Sequence, residues 1–430
     1  MAVKRWIGGA PATKRVMTLT LANTWSSADT ARVSVGIQDL TIVTDSATKS
    51  VIATQIANAI NAASASEDLI SAEVRNVGGQ QIPEFREFTA LASGDTVILT
   101  ANTAGVYFNV TAGETTAGDG TLTAAETVAG SGPNHANNLD NYEGGALPVD
   151  GDTLMFDVGG VDCLYGLDYF RANSIELHII ITGDYTGQIG LPAYNSQGGY
   201  DEYRTRGLQL YGSGADHDVT IRAGGSFLTS AGSVYLDSTS QSLRNLDILA
   251  ARGSVASGPT VFVTGGSWTN INALRGAVSI EPEDFNVAGG SGVIVTGAIN
   301  VGVTEGQATD VSVWIGSLAR LCESGSLNIR NGQVVTYANT KVSSDVITST
   351  IYGGTLALES PGAQDTFIVY GGGVLRHNAG GGTTVAVTLN GGSLDMSGGT
   401  AAQTITTLTI GPGSTINGGG GRLTAGATWI

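Results

Sequence analysis

Short apolar runs alternating with polar positions fill most of this chain, and one stretch departs from that period. Between residues 50 and 61, Ile52, Ile56 and Ile60 recur every fourth position, which places them on one face of a helix. Around it the period is two. Val33, Val35 and Ile37 alternate as a strand, a turn near Gln38-Asp39 follows, and 40–43 continues the pattern. Further strands are predicted at 70–75, 85–91, 96–100 and 106–110. Residues 15–130 therefore read as a small α+β domain with one helix packed on a sheet.

Beyond residue 160 the helical period does not return. Short β-branched runs occur at 175–181, 208–211, 219–222, 234–236, 261–263, 293–295, 311–315, 327–329, 355–358, 367–370, 385–389 and 404–410, separated by turn clusters. A repeated phrase punctuates them: a Gly pair, Ser or Thr, then an apolar residue. It stands at Gly224-Gly225-Ser226-Phe227, Gly265-Gly266-Ser267-Trp268, Gly353-Gly354-Thr355-Leu356 and Gly391-Gly392-Ser393-Leu394, with looser copies at Gly289-Gly290, Gly371-Gly372-Gly373 and Gly411-Pro412-Gly413. The last four copies begin at 353, 371, 391 and 411, a spacing of 18 to 20 residues. A short period with glycine at each corner is the signature of a solenoid whose turns bury their apolar faces against one another. The fold class expected is mainly β: a small N-terminal α+β domain followed by a right-handed parallel β-helix-like solenoid. A β-sandwich competes, because the period is irregular between 225 and 350.

The chain divides accordingly into an N-terminal docking arm at 1–14, the α+β domain at 15–130, a linker and solenoid cap at 131–160, and a rod at 161–430. In the arm, Trp6 and Ile7 are apolar without a local partner, and Gly8-Gly9-Ala10-Pro11 breaks regular structure. An exposed Trp would make the arm a docking element; folding back onto its own domain is the other reading.

Composition narrows the classes. The chain has 430 residues, of which 41% are apolar and only 13% charged, with 63 glycines but few prolines and no G-X-Y period. Collagen is thereby excluded, and the plentiful Val, Ile and Leu between the glycines argue against disorder. A net charge of −17 argues against nucleic-acid binding, which needs clustered Lys and Arg on phosphates. The basic pairs Lys4-Arg5 and Lys14-Arg15 read as solvated charge or as a contact for an acidic partner surface. Two cysteines, Cys163 and Cys322, cannot build a disulfide framework and read as buried thiols.

The run Thr24-Trp25-Ser26-Ser27-Ala28-Asp29-Thr30, then strand and helix, then Asp95-Thr96-Val97-Ile98-Leu99-Thr100-Ala101-Asn102-Thr103-Ala104-Gly105-Val106-Tyr107-Phe108, resembles a small domain that recurs in bacteriophage structural proteins and planctomycete hypothetical proteins. Its familiar phrasing is "TW…GDT" and "LTA.TAG.PF"; Ala28 stands where Gly is usual, and Val106-Tyr107 where Pro often stands. The likeness continues through Gly132-Pro133-Asn134, through Gly145 to Thr153, through Leu164 to Asp168 and through Ile189 to Pro192, covering roughly half the chain with no catalytic signature. The resemblance implies a non-enzymatic virion structural protein: a capsid decoration, cement or head-fibre subunit that binds the major capsid protein or other virion proteins. Self-association as a homotrimer follows by analogy with virion β-helix rods. The alternative is a tail fibre or tailspike that binds, and in the minority reading cleaves, host polysaccharide. A bacterial surface adhesin is a third class, weakened by the missing apolar core of a secretion signal. With no stretch approaching about 20 apolar residues, no membrane span is expected. The chain is expected to be made in the host cytoplasm and to reach the virion surface by assembly.

Few residues suggest chemistry. Paired carboxylates of a glycan-cleaving spike would come from Asp201 with Glu202, or Glu281 with Glu283 and Asp284; Asp216 and Asp218 also flank His217. Acidic residues in loops are more often solvated. Asp140, Asp150 and Asp152 offer oxygen ligands for Ca²⁺, but their spacing matches no EF-hand, and turn capping is the better reading. His135, His178, His217 and His377 are scattered and form no zinc motif. The Gly pairs open strands and lack the Lys of a phosphate loop, so no cofactor is expected. Tyr185, Tyr194, Tyr200, Tyr203 and Tyr211, with Arg204 and Arg206, are the most suggestive cluster. They read as a subunit interface, with a carbohydrate groove or solenoid capping as alternatives.

Overall fold

In the computed structural model, residues 2–64, 83–191, 202–212, 218–222, 233–238, 244–250, 253–254, 258–280, 292–302, 311–316, 322–336, 340–341, 348–358, 364–377, 383–398, 402–419 and 423–429 are described. The chain begins in the rod, not in the small domain. Strand β1 (Val3–Arg5) runs parallel to a strand 150 residues later in register, with Val3 opposite Thr153 and Arg5 opposite Met155. The polypeptide then leaves for the small domain and returns beside itself. Isolated antiparallel bridges join Trp6 to Tyr142 and Thr13 to Ser131. The expected arm is therefore the first rung of the solenoid, and the α+β domain is an insertion between its first two strands. The physical reason is Trp6: with 1% of its surface exposed, it packs on Tyr142 and Phe156 inside the solenoid core. Asn141 ties the crossing together. Its buried amide donates to the carbonyls of Gly132 and His135 and accepts from the Ala10 N–H.

The inserted domain has two antiparallel sheets. Strands β2 (Val16–Ala22), β5 (Phe88–Ser93), β6 (Thr96–Ala101) and β8 (Thr121–Val128) form one in the order β5-β6-β2-β8. Strands β3 (Thr30–Val35), β4 (Gln38–Val43) and β7 (Thr111–Thr115) form the other, in the order β4-β3-β7. Helix α1 (Lys49–Ser64) buries Ile52, Ile56 and Ile60 completely, as the four-residue spacing requires. They join Val33, Val35, Leu19, Leu99, Phe85, Phe88 and Phe108 in a core separate from that of the rod. The edge strand β5 is guarded by a side chain of α1. Asn61 donates from its amide to the Ala90 carbonyl (2.8 Å) and accepts from the Ala90 N–H (2.9 Å), filling the positions a further strand would use.

Three details of the domain differ from expectation. The β3–β4 turn falls at Gly36-Ile37, because Val35 pairs directly with Gln38 and Gly36 takes φ +61°. Ile37 is consequently exposed. Residues 106–110 carry no strand; pairing resumes at β7, while 83–87 form a 3-10 turn ahead of β5. The expected strand at 70–75 lies outside the described residues.

The rod is a parallel β-helix, continuous from β1 and β9 (Thr153–Phe156) to Leu423–Trp429. Its longest face stacks inward pairs in strict register: Leu154 and Phe156, Ile179 and Ile181, Val219 and Ile221, Leu246 and Ile248, Ile271 and Ala273, Ile299 and Val301, Leu327 and Ile329. A second face stacks Val234, Val261, Val278, Val313, Val334, Leu356, Leu375 and Leu394. A bend within Val261–Trp268 and within Val293–Val301 supplies a third, shorter face, on which Trp268 lies over Val295. Among the described residues, the ladders between strands of successive coils are parallel, which a sandwich of hairpins and Greek keys would not give. The last four copies of the Gly phrase mark the corner that opens the second face, where Gly354, Gly372, Gly391 and Gly413 all have positive φ, whereas Gly266 lies at the bend from the second face to the third.

Outward positions of the long face form amide ladders. The Asn272 amide donates to Asp247, Asn300 to Asn272, and Asn328 to Asn300, at 2.6, 2.8 and 3.0 Å. A second column runs from Asp218 through Asn245 to Asn270. Each column ends toward the N-terminus on a carboxylate, a group that only accepts, so all the amides point the same way.

Candidate functional site

The chemistry-bearing side chains of the described residues converge where the inserted domain meets the base of the rod. Arg204 is the centre. Its guanidinium, 6% exposed, binds both oxygens of Glu202 (2.8 and 3.1 Å), Glu87 at 3.0 Å and the Tyr107 carbonyl at 3.0 Å. It also lies over the rings of Tyr165 and Tyr203, at 5.3 and 5.2 Å. Glu87 and Tyr107 belong to the inserted domain and Tyr165 to the segment leading into the rod, so one side chain fastens both bodies. Tyr203 completes the lock by donating its hydroxyl to Glu87. Burial, followed by the negative charge of Glu87, pushes the Tyr203 hydroxyl well above the ordinary tyrosine range and keeps it a neutral donor. Tyr203 reaches this position only because Gly36 has no side chain: a Cβ there would stand 2.4 Å from the Tyr203 Cβ.

Beside the lock, Arg15 stacks 4.3 Å over Tyr107 and pairs with Glu126, leaving its Nε without a partner among the described residues. His135 is buried; its Nε2–H donates to the Gly105 carbonyl at 3.0 Å, and its ring centroid sits 5.1 Å from that of Tyr165. Burial lowers the His135 pKa, the Gly105 bond opposes this, and nearby Arg15 lowers it further. Between these groups opens a cleft of about 570 Å³. Asn109, Asn137 and Asp168 line it with exposed side chains that make no side-chain hydrogen bond among the described residues, Asn137 lying against Gly166.

The structure redistributes the residues that the sequence singled out. Trp6 is buried in the rod core and is not an exposed docking group, whereas Ile7 beside it is 48% exposed. Tyr185 is buried in the first coil, against Phe156, and donates to the Val161 carbonyl. Tyr203 and Arg204 come together, but both serve contacts within the chain. The Glu202 side chain is 1% exposed and its carboxylate is held by Arg204, so it is no free acid for glycan cleavage. Tyr194, Tyr200, Asp201, Glu281 and Glu283, with Asp284, Asp216 and His217, lie outside the described residues. Asp140, Asp150 and Asp152 do not converge. Asp152 accepts the N–H groups of Ala2 and Val149, Asp150 that of Glu176, and Asp140 is exposed on a separate turn. Among the described residues no three His, Cys, Asp or Glu side chains assemble around a common point. Cys163 and Cys322 are buried and form no disulfide with each other, and burial pushes the Cys163 thiol up.

Sequence reading missed Glu87, Arg15, His135 and Tyr165. Arg15 read as solvated charge and is buried. Its only sequence signal was its place at the start of an apolar alternating strand. Comparisons with protein families, curated proteins and solved structures return no match for this chain.

Proposed function

We propose that this chain is a structural protein of a bacteriophage particle, a capsid decoration or head-fibre subunit. In this reading the inserted domain seats on the particle and the rod projects from it or lies across capsomers, with a homotrimer as the assembled form. The observation that carries the proposal is the buried Arg204 lock. Together with the double crossing at Trp6 and Tyr142, it makes the small domain a fixed foot of the rod. A foot tied to the rod by such contacts transmits load between an attachment surface and a long stiff element. Many such contacts repeated around a symmetric shell stabilise it by avidity, without a tight single site. The likeness of the small domain to phage structural proteins supplies the particle.

A tail fibre or spike that binds host polysaccharide keeps the same foot and rod, and the polar cleft at the foot favours that second reading. Copy number and position separate the two. Quantitative mass spectrometry and immunogold microscopy of particles carrying this chain should find hundreds of copies distributed over the shell. A few dozen copies at the tail would replace the decoration reading with the fibre reading. Absence from purified particles would sink both.

A further inference from the structure

We infer that the cleft between the inserted domain and the rod base is a binding site for a neutral, hydroxyl-rich sugar residue. Its volume, about 570 Å³, falls in the range of ligand sites (about 300–1,000 Å³), and junctions between domains are where such sites concentrate. The lining has the chemistry of sugar recognition. Tyr107 and Tyr165 supply aromatic surface, each with a guanidinium already stacked on it. Asn137 and Asp168 supply unengaged donors and acceptors that match vicinal hydroxyls. Arg15, 8% exposed, lines the same space and keeps a donor without a partner.

The charge pattern selects a neutral ligand over an anion. Arg204 is neutralised by Glu87 and Glu202, Arg15 by Glu126, and Asp168 remains as an unpaired carboxylate. A phosphate or uronate would meet that carboxylate with no cation among the described lining residues left without a carboxylate partner to offset it. The site requires no particular place in a particle, so it stands or falls independently of the decoration reading.

The test uses the full chain and saturation-transfer NMR with D-glucose, D-galactose, L-rhamnose and N-acetyl-D-glucosamine, set against D-glucuronate and inorganic phosphate. At least one neutral sugar should bind with Kd of about 1 mM or tighter, and the two anions should not. Asp168→Asn and Asn137→Ala should each weaken that sugar about tenfold, with circular dichroism unchanged, since both side chains are exposed and neither makes a side-chain hydrogen bond among the described residues. The inference is overturned if no neutral sugar binds, if the anions bind in preference, or if both variants bind as the parent does.

Discussion

The indole of Trp6 meets the ring of Tyr142 edge-on, with centroids 5.5 Å apart and planes at 78°. These two residues lie 136 positions apart, one on the way out of the rod and one on the way back. Each is also tied to backbone: the Trp6 Nε1–H donates to the Val161 carbonyl and the Tyr142 hydroxyl to that of Ala136. The pair closes the neck of the inserted domain and covers the end of the solenoid core. Lys4, on the same edge strand, occupies an inward register position opposite Leu154, and a charge there discourages another rod from stacking on that end.

Truncating this contact should be costly out of proportion to its place near the N-terminus. Trp6→Ala is expected to lose about 3–5 kcal/mol in denaturant unfolding, the usual range for a large aromatic removed from a core. Ile7→Ala, next in sequence but half exposed, should stay within about 0.5 kcal/mol. Equal effects for the two would show that residues 2–7 are not part of the rod.

Arg204→Ala leaves Glu87 and Glu202 buried without their cation, and a broken buried pair of this kind costs about 3–5 kcal/mol. Because the two cores are separate, the loss should fall on the junction. Hydrogen exchange is expected to rise around 83–87, 107 and 202–206 while the inward stacks of the rod stay protected. Arg32→Ala, at an exposed pair with Asp39, should change neither. Uniform exchange along the whole rod in Arg204→Ala would mean that the lock supports the fold and not the junction.

The periodic part of this molecule was legible in its sequence, and the junction was not. Ile52, Ile56 and Ile60 announce their helix, and Gly354 and Gly391 announce their corners, because each signal lies within one element and its period. Trp6 and Arg15 gave the wrong impression for the opposite reason: their partners are Tyr142, Phe156 and Glu126, more than 100 residues away. The cluster of Tyr203 and Arg204 was noticed for its composition, yet nothing local shows that Glu87 waits for it. The same blindness applies to the insertion, since a three-residue strand such as β1 has too few positions to show a period.

His135 gives the junction a pH dependence of known sign. Burial and Arg15 hold its pKa below the unfolded value of about 6.5, so the folded state prefers the neutral ring. The unfolded chain therefore binds a proton first as pH falls, and the contribution present above about pH 6.5 is lost on the way down to the folded pKa. Stability measured at pH 7 and pH 5.5 should fall in the parent and fall less in His135→Gln. A larger fall in the variant would contradict the assignment.

Gly354 and Gly372 separate two reasons for glycine at the corner. Both have positive φ, +76° and +89°, so alanine at either pays about 1–2 kcal/mol for the left-handed backbone. A Cβ on Gly354 would also stand 2.4 Å from the Gly332 carbonyl of the preceding coil, while around Gly372 nothing lies within 4 Å. Gly354→Ala is expected to be the more destabilising of the two in thermal melts. Parity would show that the coils can move apart at that corner without cost.

The amide ladder yields the sharpest contrast, because its hydrogen bonds have a direction. Asn300 donates to Asn272 and accepts from Asn328. Asn300→Ala removes both bonds at a half-buried face, which costs about 1–3 kcal/mol. In Asn300→Asp the bond from Asn328 survives, but an ionised carboxylate then faces the Asn272 oxygen where a donor stood, 2.8 Å away in the parent. That repulsion disfavours the ionised form and raises the folded pKa of the new carboxyl above its unfolded value near 3.9. Its protonated form is the one that restores the lost donor. The Asn300→Asp protein should thus be weaker than the parent at pH 7 and regain part of the difference as pH falls through that raised pKa, measured against the parent at each pH. Asp247 at the N-terminal end of the column tolerates its charge because it only accepts, from Asn272. Asp247→Asn keeps that acceptor and should be close to neutral at pH 7. A deficit in Asn300→Asp that does not respond to pH would mean that the amides point in no fixed direction.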